Sequence, residues 1–138
     1  MSIEGTEANA FDSIGGAETV RRLVEAFYDD MEANEPALAR THRLDDSGRI
    51  TRDTRDHFAS FLCFWLGGPQ TYLQERGHPR LRMRHAHVAI GVELRDAWIR
   101  SMTRALDACG LSGPVRNFLD ARFEHTADFL RNQPEQAG

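Results

Sequence analysis

The sequence contains no lysine, and its 17 basic residues are all arginine. This absence excludes mechanisms that need a lysine Schiff base or a P-loop lysine. Proline and glycine are scarce, at 5 and 11 residues, which excludes a collagen-like or low-complexity chain. With 21 acidic residues, the formal net charge is -4. The chain therefore lacks the basic surface that is typical of nucleic-acid-binding proteins.

Cysteines and long apolar runs are also scarce. Cys63 and Cys109 are far apart in the sequence, and neither has a nearby cysteine or histidine at a zinc-ligand spacing. No stretch approaches the ~20 apolar residues of a membrane span. The first residues lack the basic start and apolar run of a secretory signal peptide. We therefore expect a cytoplasmic protein with two free thiols and no membrane partner.

What the sequence does contain is helical periodicity. Apolar residues spaced three or four apart predict helices over 17–33, 52–66, 91–109 and from about 112 to 130. Thr51 is the expected N-cap of the second helix, and Ser112 is the expected N-cap of the fourth. The apolar faces of these helices include Val20, Leu23, Val24, Phe27, Met31, Phe58, Phe61, Leu62, Trp65, Leu94, Trp98, Met102, Leu106, Val115, Phe118, Leu119, Phe123, Phe129 and Leu130.

No segment alternates as a half-buried strand would, so the predicted class is all-α. We expect a flexible N-terminal arm over 1–13, one domain over 14–131 and a polar tail over 132–138. The segment 69–90 is the least regular part of the domain, with one short helical stretch expected at 81–86. A long irregular connection inside a small helical domain is usually functional.

This irregular segment contains His78, His85 and His87 together with several arginines. Two interpretations stay open. The segment is either a solvated basic loop, or a site in which one histidine faces inward and arginines bind an anionic ligand. Arginine suits the second role because its guanidinium donates parallel hydrogen bonds to carboxylates.

Aromatic residues on the predicted apolar faces indicate which ligand that would be. Ordinary core packing explains Phe58 and Phe61. Tyr28 and Trp98 each carry a polar hydrogen that needs a partner when buried, and a polar ligand in an apolar pocket would supply it. An apolar pocket with one inward imidazole and arginines at its rim describes a haem site.

Four segments of the chain together resemble the group II truncated haemoglobins over about 14–130. They are GGAETVRRLVEAFY at 15–28, FLCFWLGGPQTY at 61–72, RGHPRLRMRHAHVAIG at 76–91 and LRDAW at 94–98. The LGGP-x-x-Y and HPRLRMRH motifs are specific when they occur together in this order. The resemblance implies an all-α, shortened globin fold, in which two pairs of antiparallel helices form a two-over-two sandwich around haem b.

The resemblance also implies roles for individual residues. It makes His85 the proximal ligand of the iron. The residues that it implies on the distal side are Tyr28, His42, Thr54, Phe58 and Trp98. Those that it implies against the porphyrin, its proximal face or its propionates are Phe61, Leu62, Tyr72, His78, Arg82 and Met83.

Other histidines leave alternatives. His42 stands where many group II members carry a tyrosine, so it either faces the ligand, where it can donate or titrate, or is a partly exposed loop residue. His87 is two positions from His85 and points elsewhere, so we assign it to the surface or the propionate edge. His57 would become a sixth iron ligand only if its helix rotated.

The resemblance implies reversible binding of dioxygen and other diatomic gases, and a role in oxygen transport. Two charge-assisted hydrogen bonds, from Tyr28 and Trp98, at roughly 1.5–3 kcal/mol each, would slow oxygen loss by on the order of a hundredfold or more. A haem enzyme is the alternative, either peroxidase-like or a nitric oxide dioxygenase served by a separate reductase. An alternative of another class is a haem-free helical interaction or sensor module. We expect a monomer or a homodimer.

Overall fold

The computed structural model describes residues 10–77 and 89–131. In these two ranges the only β pairing is an isolated bridge between Leu44 and Ile50, so the predicted all-α class is confirmed. None of the helices in this part of the chain is both long and apolar enough to cross a bilayer. The helices are α1 (Ala10–Ser13), α2 (Gly16–Asn34), α3 (Pro36–Ala39), α4 (Arg52–Trp65), α5 (Thr71–Arg76), α6 (Val92–Ala108) and α7 (Gly113–Leu130).

Helix α2 is the central element, because it packs against both α4 and α6. Helix α7 packs on α6, and the short α5 packs on α4. Fully burying one large apolar side chain stabilises a fold by about 1.5–3 kcal/mol. The largest fully buried side chains are Tyr72, Phe27, Leu23, Met31, Leu62, Met102, Leu106, Leu119, Val20 and Val24.

Both ends of α4 follow from local chemistry. The Thr51 side chain accepts a hydrogen bond from the Thr54 backbone N–H at 3.2 Å, which confirms the predicted N-cap. The helix ends before Gly67, whose φ of +96° is a left-handed conformation that favours glycine. A Cβ on Gly68 would lie 2.7 Å from the Cys63 carbonyl oxygen, so the second glycine is needed for close backbone approach.

The predicted N-terminal arm differs from the structure in its last four residues. Ala10–Ser13 form a helical turn, and Ala10 is fully buried. The Phe11 backbone N–H donates to the Leu66 carbonyl at 3.0 Å. This turn covers the end of α4. Its apolar side chains, Ala10 and Phe11, pack against the core although the segment around them is polar. Residues 1–9 and 132–138 lie outside the described ranges.

Three details of the helix predictions need correction. Helix α5 occupies part of the segment that was expected to be irregular, and the buried Tyr72 anchors it. Ser112 stands at the N-cap of α7, but its side chain makes no capping hydrogen bond. Phe129 was expected on the apolar face of this helix and is 50% exposed. The short helix expected at 81–86 lies outside the described residues.

Candidate functional site

Aromatic rings from α2, α4 and α6 meet around Phe27. Its ring centroid lies 5.0 Å from that of Tyr28, 5.6 Å from Phe58 and 5.1 Å from Trp98. The Tyr28 and Phe58 rings are 5.8 Å apart and nearly perpendicular. The fold therefore brings together three of the residues that the sequence placed in one pocket. Phe27 was predicted only as a core residue, and its position as the hub of this cluster was missed.

Tyr28 places a polar group inside this apolar cluster. The residue is 5% exposed, and burial raises the pKa of its hydroxyl above the ordinary value, so the group remains a protonated donor. Within residues 10–77 and 89–131, no hydrogen-bond acceptor is paired with this hydroxyl. No fully occluded side-chain polar atom in the described part of the chain lacks a partner. The Tyr28 hydroxyl is therefore a buried donor without an acceptor in the described part of the chain.

Trp98 supplies a second donor of the same kind. Its indole is half-buried on α6 and contacts Phe27 on one side and Phe123, at 5.6 Å, on the other. As with Tyr28, no acceptor among the described residues is paired with its N–H. Two hydrogen-bond donors on neighbouring helices thus border the same apolar ring, Phe27.

His42 lies beside Tyr28, with ring centroids 5.6 Å apart. Its Nδ1 is 3.1 Å from the Leu38 carbonyl oxygen and 3.2 Å from the Thr41 Oγ1. A carbonyl can only accept, so this contact requires the proton on Nδ1. In the neutral ring, Nε2 then carries no proton and can act only as an acceptor. His42 is a half-buried residue in the bend after α3, and its ring lies beside Tyr28, so both alternatives for this residue stay open.

Thr54 stands at the start of α4, where its helix approaches α2. Its Oγ1 accepts a hydrogen bond from the Thr51 Oγ1 at 3.0 Å. The side chain is half-buried and small, so it leaves space beside Phe58.

Phe61, Leu62 and Tyr72 extend the aromatic wall away from Tyr28. Phe61 stacks on Phe58 at 6.4 Å and meets the edge of Tyr72 at 5.5 Å. Leu62 is fully buried in the core. The Tyr72 hydroxyl is 3.3 Å from Nε2 of His57. This contact occupies the nitrogen that a sixth iron ligand at His57 would use.

The other residues expected on the proximal side follow α5 in the sequence. His78, Arg82, Met83, His85 and His87 all lie outside the described ranges. In the part of the chain that is described, no group of three His, Cys, Asp or Glu side chains could hold a metal ion. The described residues therefore form one wall of the candidate site.

A buried arginine behind this wall was missed by the sequence analysis. The Arg55 side chain is 4% exposed and hydrogen-bonds to three carboxylates of α2. Its Nη1 donates to Glu25 at 2.8 Å and to Asp29 at 2.9 Å, and its Nη2 donates to Glu32 at 2.8 Å. Its Nε donates to the Ile50 carbonyl at 3.0 Å. We call Arg55 and the three carboxylates the Arg55 cluster.

A signal for this arginine exists in the sequence. Arg55 precedes Phe58, Ala59 and Leu62 by three, four and seven positions, so it lies on their face of the helix. A charged residue on an apolar face requires buried partners. Its guanidinium carbon is also 5.7 Å from the centroid of the Tyr28 ring.

A second ionic group joins α2 to α6, and we call it the Arg104 cluster. Arg104 donates to Asp30 at 2.8 Å and to Glu35 at 2.7 Å. Arg100 also donates to Glu35, at 2.8 and 2.9 Å. The buried Ser101 hydroxyl donates to Asp30 at 3.0 Å. This cluster fixes the helix that carries the second donor of the site.

The described side of the site fits one wall of a haem pocket. It offers apolar ring faces for a porphyrin and two donors for a small polar ligand. The Tyr28 donor lies on α2, and the Trp98 donor lies on α6, which packs against α2. This arrangement can bind a flat apolar group and orient hydrogen bonds toward a ligand held on it.

Comparisons with known proteins agree with this geometry. The sequence profile of the bacterial-like globins matches residues 9–132. The chain is 39% identical over 131 residues to Group 2 truncated hemoglobin YjbI of Bacillus subtilis (strain 168), covering 95% of each protein. It is similar, with a TM-score of 0.82 and 39% identity, to the hemoglobin of the thermophilic phototrophic bacterium Chloroflexus aurantiacus, covering 90% of this chain and 98% of that one. It is also similar, with a TM-score of 0.78 and 37% identity, to the truncated oxygen-avid haemoglobin from Bacillus subtilis, covering 89% and 98%.

Proposed function

The chain belongs to the bacterial-like globins and, within them, to the group II truncated haemoglobins, and from this premise we propose that it binds dioxygen reversibly at a haem. Its all-α structure is the shortened two-over-two globin fold that the sequence predicted. Family membership implies haem-based ligand binding. The observation that carries dioxygen as the ligand is the buried Tyr28 hydroxyl, a donor with no acceptor among the described residues.

We propose haem b as the cofactor and His85 as its iron ligand. The haem would supply the iron that binds the gas. Phe58 and Phe61 would pack on one side of the group and exclude water from it. Arg82 and His78 would neutralise the propionates, with Met83 and Tyr72 beside them.

Tyr28 and Trp98 would donate hydrogen bonds to the bound gas. A polar gas held there would accept such bonds, each worth roughly 1.5–3 kcal/mol. A difference of ~1.4 kcal/mol is a factor of ten in rate. Because burial keeps the Tyr28 hydroxyl protonated, its contribution would not change across neutral pH. A similar structure from Bacillus subtilis is that of an oxygen-avid haemoglobin, which supports strong retention of the gas.

The test is the rate of dioxygen dissociation from the ferrous, haem-loaded protein. We expect Tyr28→Phe and Trp98→Phe each to speed dissociation by about tenfold or more, because each removes one donor. Phe64→Leu, which changes an aromatic residue of α4 without removing a donor, is the control. Unchanged rates in both donor variants would contradict the proposed pocket.

The iron ligand needs its own test. We expect His85→Ala to abolish haem retention and His87→Ala to leave it intact, as measured by the Soret band after hemin titration. The reverse result would overturn the assignment. A wild-type protein that stays colourless and does not take up hemin would instead support the haem-free interaction module.

Peroxidase-like turnover is a second candidate, and the geometry of His42 favours it. With its Nδ1 proton held by the Leu38 carbonyl, the neutral ring has Nε2 free of a proton, as a base that accepts a proton from peroxide requires. We expect peroxide turnover to fall in His42→Phe if this function operates. Nitric oxide dioxygenase activity would need a separate reductase, and no described residue favours it over the other two.

A further inference from the structure

Arg55 touches both the framework of the site and its donor residue. Its guanidinium makes four hydrogen bonds, three to α2 carboxylates and one to the Ile50 carbonyl. The same group lies 5.7 Å from the centroid of the Tyr28 ring. Nothing in the proposed function uses this residue.

These bonds decide how α4 sits on α2. In the first two turns of α4, from Arg52 to Phe58, Arg55 is the one buried side chain. The apolar residues that bury this helix, Ala59, Phe61 and Leu62, lie further along it. A guanidinium donates in fixed directions, so α4 cannot slide or rotate on α2 without breaking several bonds at once. The register of this half of α4 therefore depends on Arg55.

The position of Tyr28 depends on the same bonds. Two of the carboxylates, Glu25 and Glu32, lie one turn before and one turn after Tyr28 on α2, and Asp29 is adjacent to it. Phe58, three residues after Arg55, contacts the Tyr28 ring at 5.8 Å. A cation within about 6 Å of an aromatic ring is attracted to it. Tyr28 is thus held by its own helix, by Phe58 and by the guanidinium.

We propose that Arg55 is a positioning residue for Tyr28, which sets the direction of its hydroxyl toward the bound ligand by fixing α4 on α2 and contacting the ring. The inference rests on the proposed function, because it assigns Tyr28 as a donor to the ligand. Arg55 itself touches neither haem nor gas. The charge that lies over the Tyr28 ring is that of Arg55, which is paired with three carboxylates of α2.

A double-mutant cycle tests this. We expect Arg55→Met to speed dioxygen dissociation by about tenfold in the wild-type background and less than about twofold in the Tyr28→Phe background, because contacting residues couple. Arg55→Lys, which keeps the charge and loses the fork, should lie between wild type and Arg55→Met. Arg52→Met is the matched control, since Arg52 pairs with the same Glu25 on the surface. Equal acceleration by Arg55→Met in both backgrounds, or none in either, would overturn the proposal.

A spectroscopic readout separates this inference from the proposed function. The sequence has only 2 tyrosines, so ring-carbon NMR signals of ¹³C-labelled tyrosine in the haem-loaded carbon monoxide complex can be assigned with Tyr28→Phe. We expect the Tyr28 signal to move in Arg55→Met and Arg55→Lys, and to stay in place in Arg52→Met. An unmoved signal in both Arg55 variants overturns the positioning role whatever the gas kinetics show. A moved Tyr28 signal would show that Arg55 positions the Tyr28 ring. If the rate of dioxygen dissociation were unchanged in Tyr28→Phe at the same time, only the role of Tyr28 as a donor to the ligand would be contradicted.

Discussion

Two arginine clusters join α4 and α6 to α2, and they differ in how deeply their arginine side chains are buried. The Arg55 cluster joins α4 through a side chain that is 4% exposed, and the Arg104 cluster joins α6 through side chains that are 40% and 53% exposed. Both reach acidic residues on α2 or, for Glu35, directly after it, with similar distances. The surroundings of each cluster explain the difference.

Helix α6 is buried largely by apolar packing. Its Ala97, Met102, Ala105 and Leu106 are buried against the core, and the arginines lie at the edge of that contact. The first half of α4 has less apolar contact, because Phe58 packs against Phe27 and Tyr28 but is only half-buried, and Thr54 is polar. A ligand pocket needs space where core side chains would otherwise pack. Directional hydrogen bonds donated by the buried Arg55 guanidinium replace that packing.

The largest effect expected from this difference is on stability. Removing one partner of a buried ionic group leaves unpaired charges and costs about 3–5 kcal/mol. We therefore expect Arg55→Met to lower the free energy of unfolding by that amount. Arg104→Met should lower it by less, because the Arg104 side chain is 40% exposed and Arg100 still pairs with Glu35. Urea denaturation followed by circular dichroism measures both, and equal losses would remove the distinction between the clusters.

Acid sensitivity is expected to be similar in the two clusters. Hydrogen bonds from Arg52, with Arg55, lower the pKa of Glu25 to about 2, and those from Arg100, with Arg104, lower the pKa of Glu35 to about 2. A carboxylate whose pKa is lower in the folded state stabilises it above the unfolded value, near 4.5, and that contribution disappears as the pH falls toward 2.

We expect Glu25→Gln and Glu35→Gln each to remove on the order of 1–2 kcal/mol of the stability difference between pH 6 and pH 3. The measurement is the urea midpoint of each variant at the two pH values. Glu124→Gln is the control, since Glu124 is exposed on α7 and forms no ion pair with the described residues. A pH dependence identical to that of wild type in both variants would show that these carboxylates do not carry the acid response.

Apolar periodicity predicted the long helices because it records which faces are buried. The ends of α4 followed from Thr51 and the glycine pair, whose local chemistry is independent of the rest of the fold. Helix α5 was missed because six residues between Pro69 and Gly77 are too few to show a period. Its position is set by one tertiary contact, the burial of Tyr72.

Arg55 was missed for a different reason. Periodicity scores hydrophobic residues, and arginine is usually exposed. Glu25, Asp29 and Glu32 are spaced to share one face of α2, but that spacing does not reveal which helix supplies the cation. Only the packing of α4 on α2 brings the four charges together. The resemblance named the aromatic residues that the structure brings together around Phe27, whereas the support behind them depends on this chain's own packing.

The smallest expected effect concerns salt, and it separates the clusters without disturbing the pocket. Raising the salt concentration from 0.1 to 1 M shortens the Debye length from ~10 to ~3 Å, which screens exposed charges far more than buried ones. The destabilisation caused by Arg104→Met should therefore shrink by a few tenths of a kcal/mol at 1 M salt. The destabilisation caused by Arg55→Met should stay the same, because the Arg55 side chain is buried and makes four hydrogen bonds. Urea unfolding of both variants and wild type at the two salt concentrations measures these differences. If the destabilisation caused by Arg55→Met depended on salt and that caused by Arg104→Met did not, the assignment of buried charge to the α2–α4 contact would be reversed.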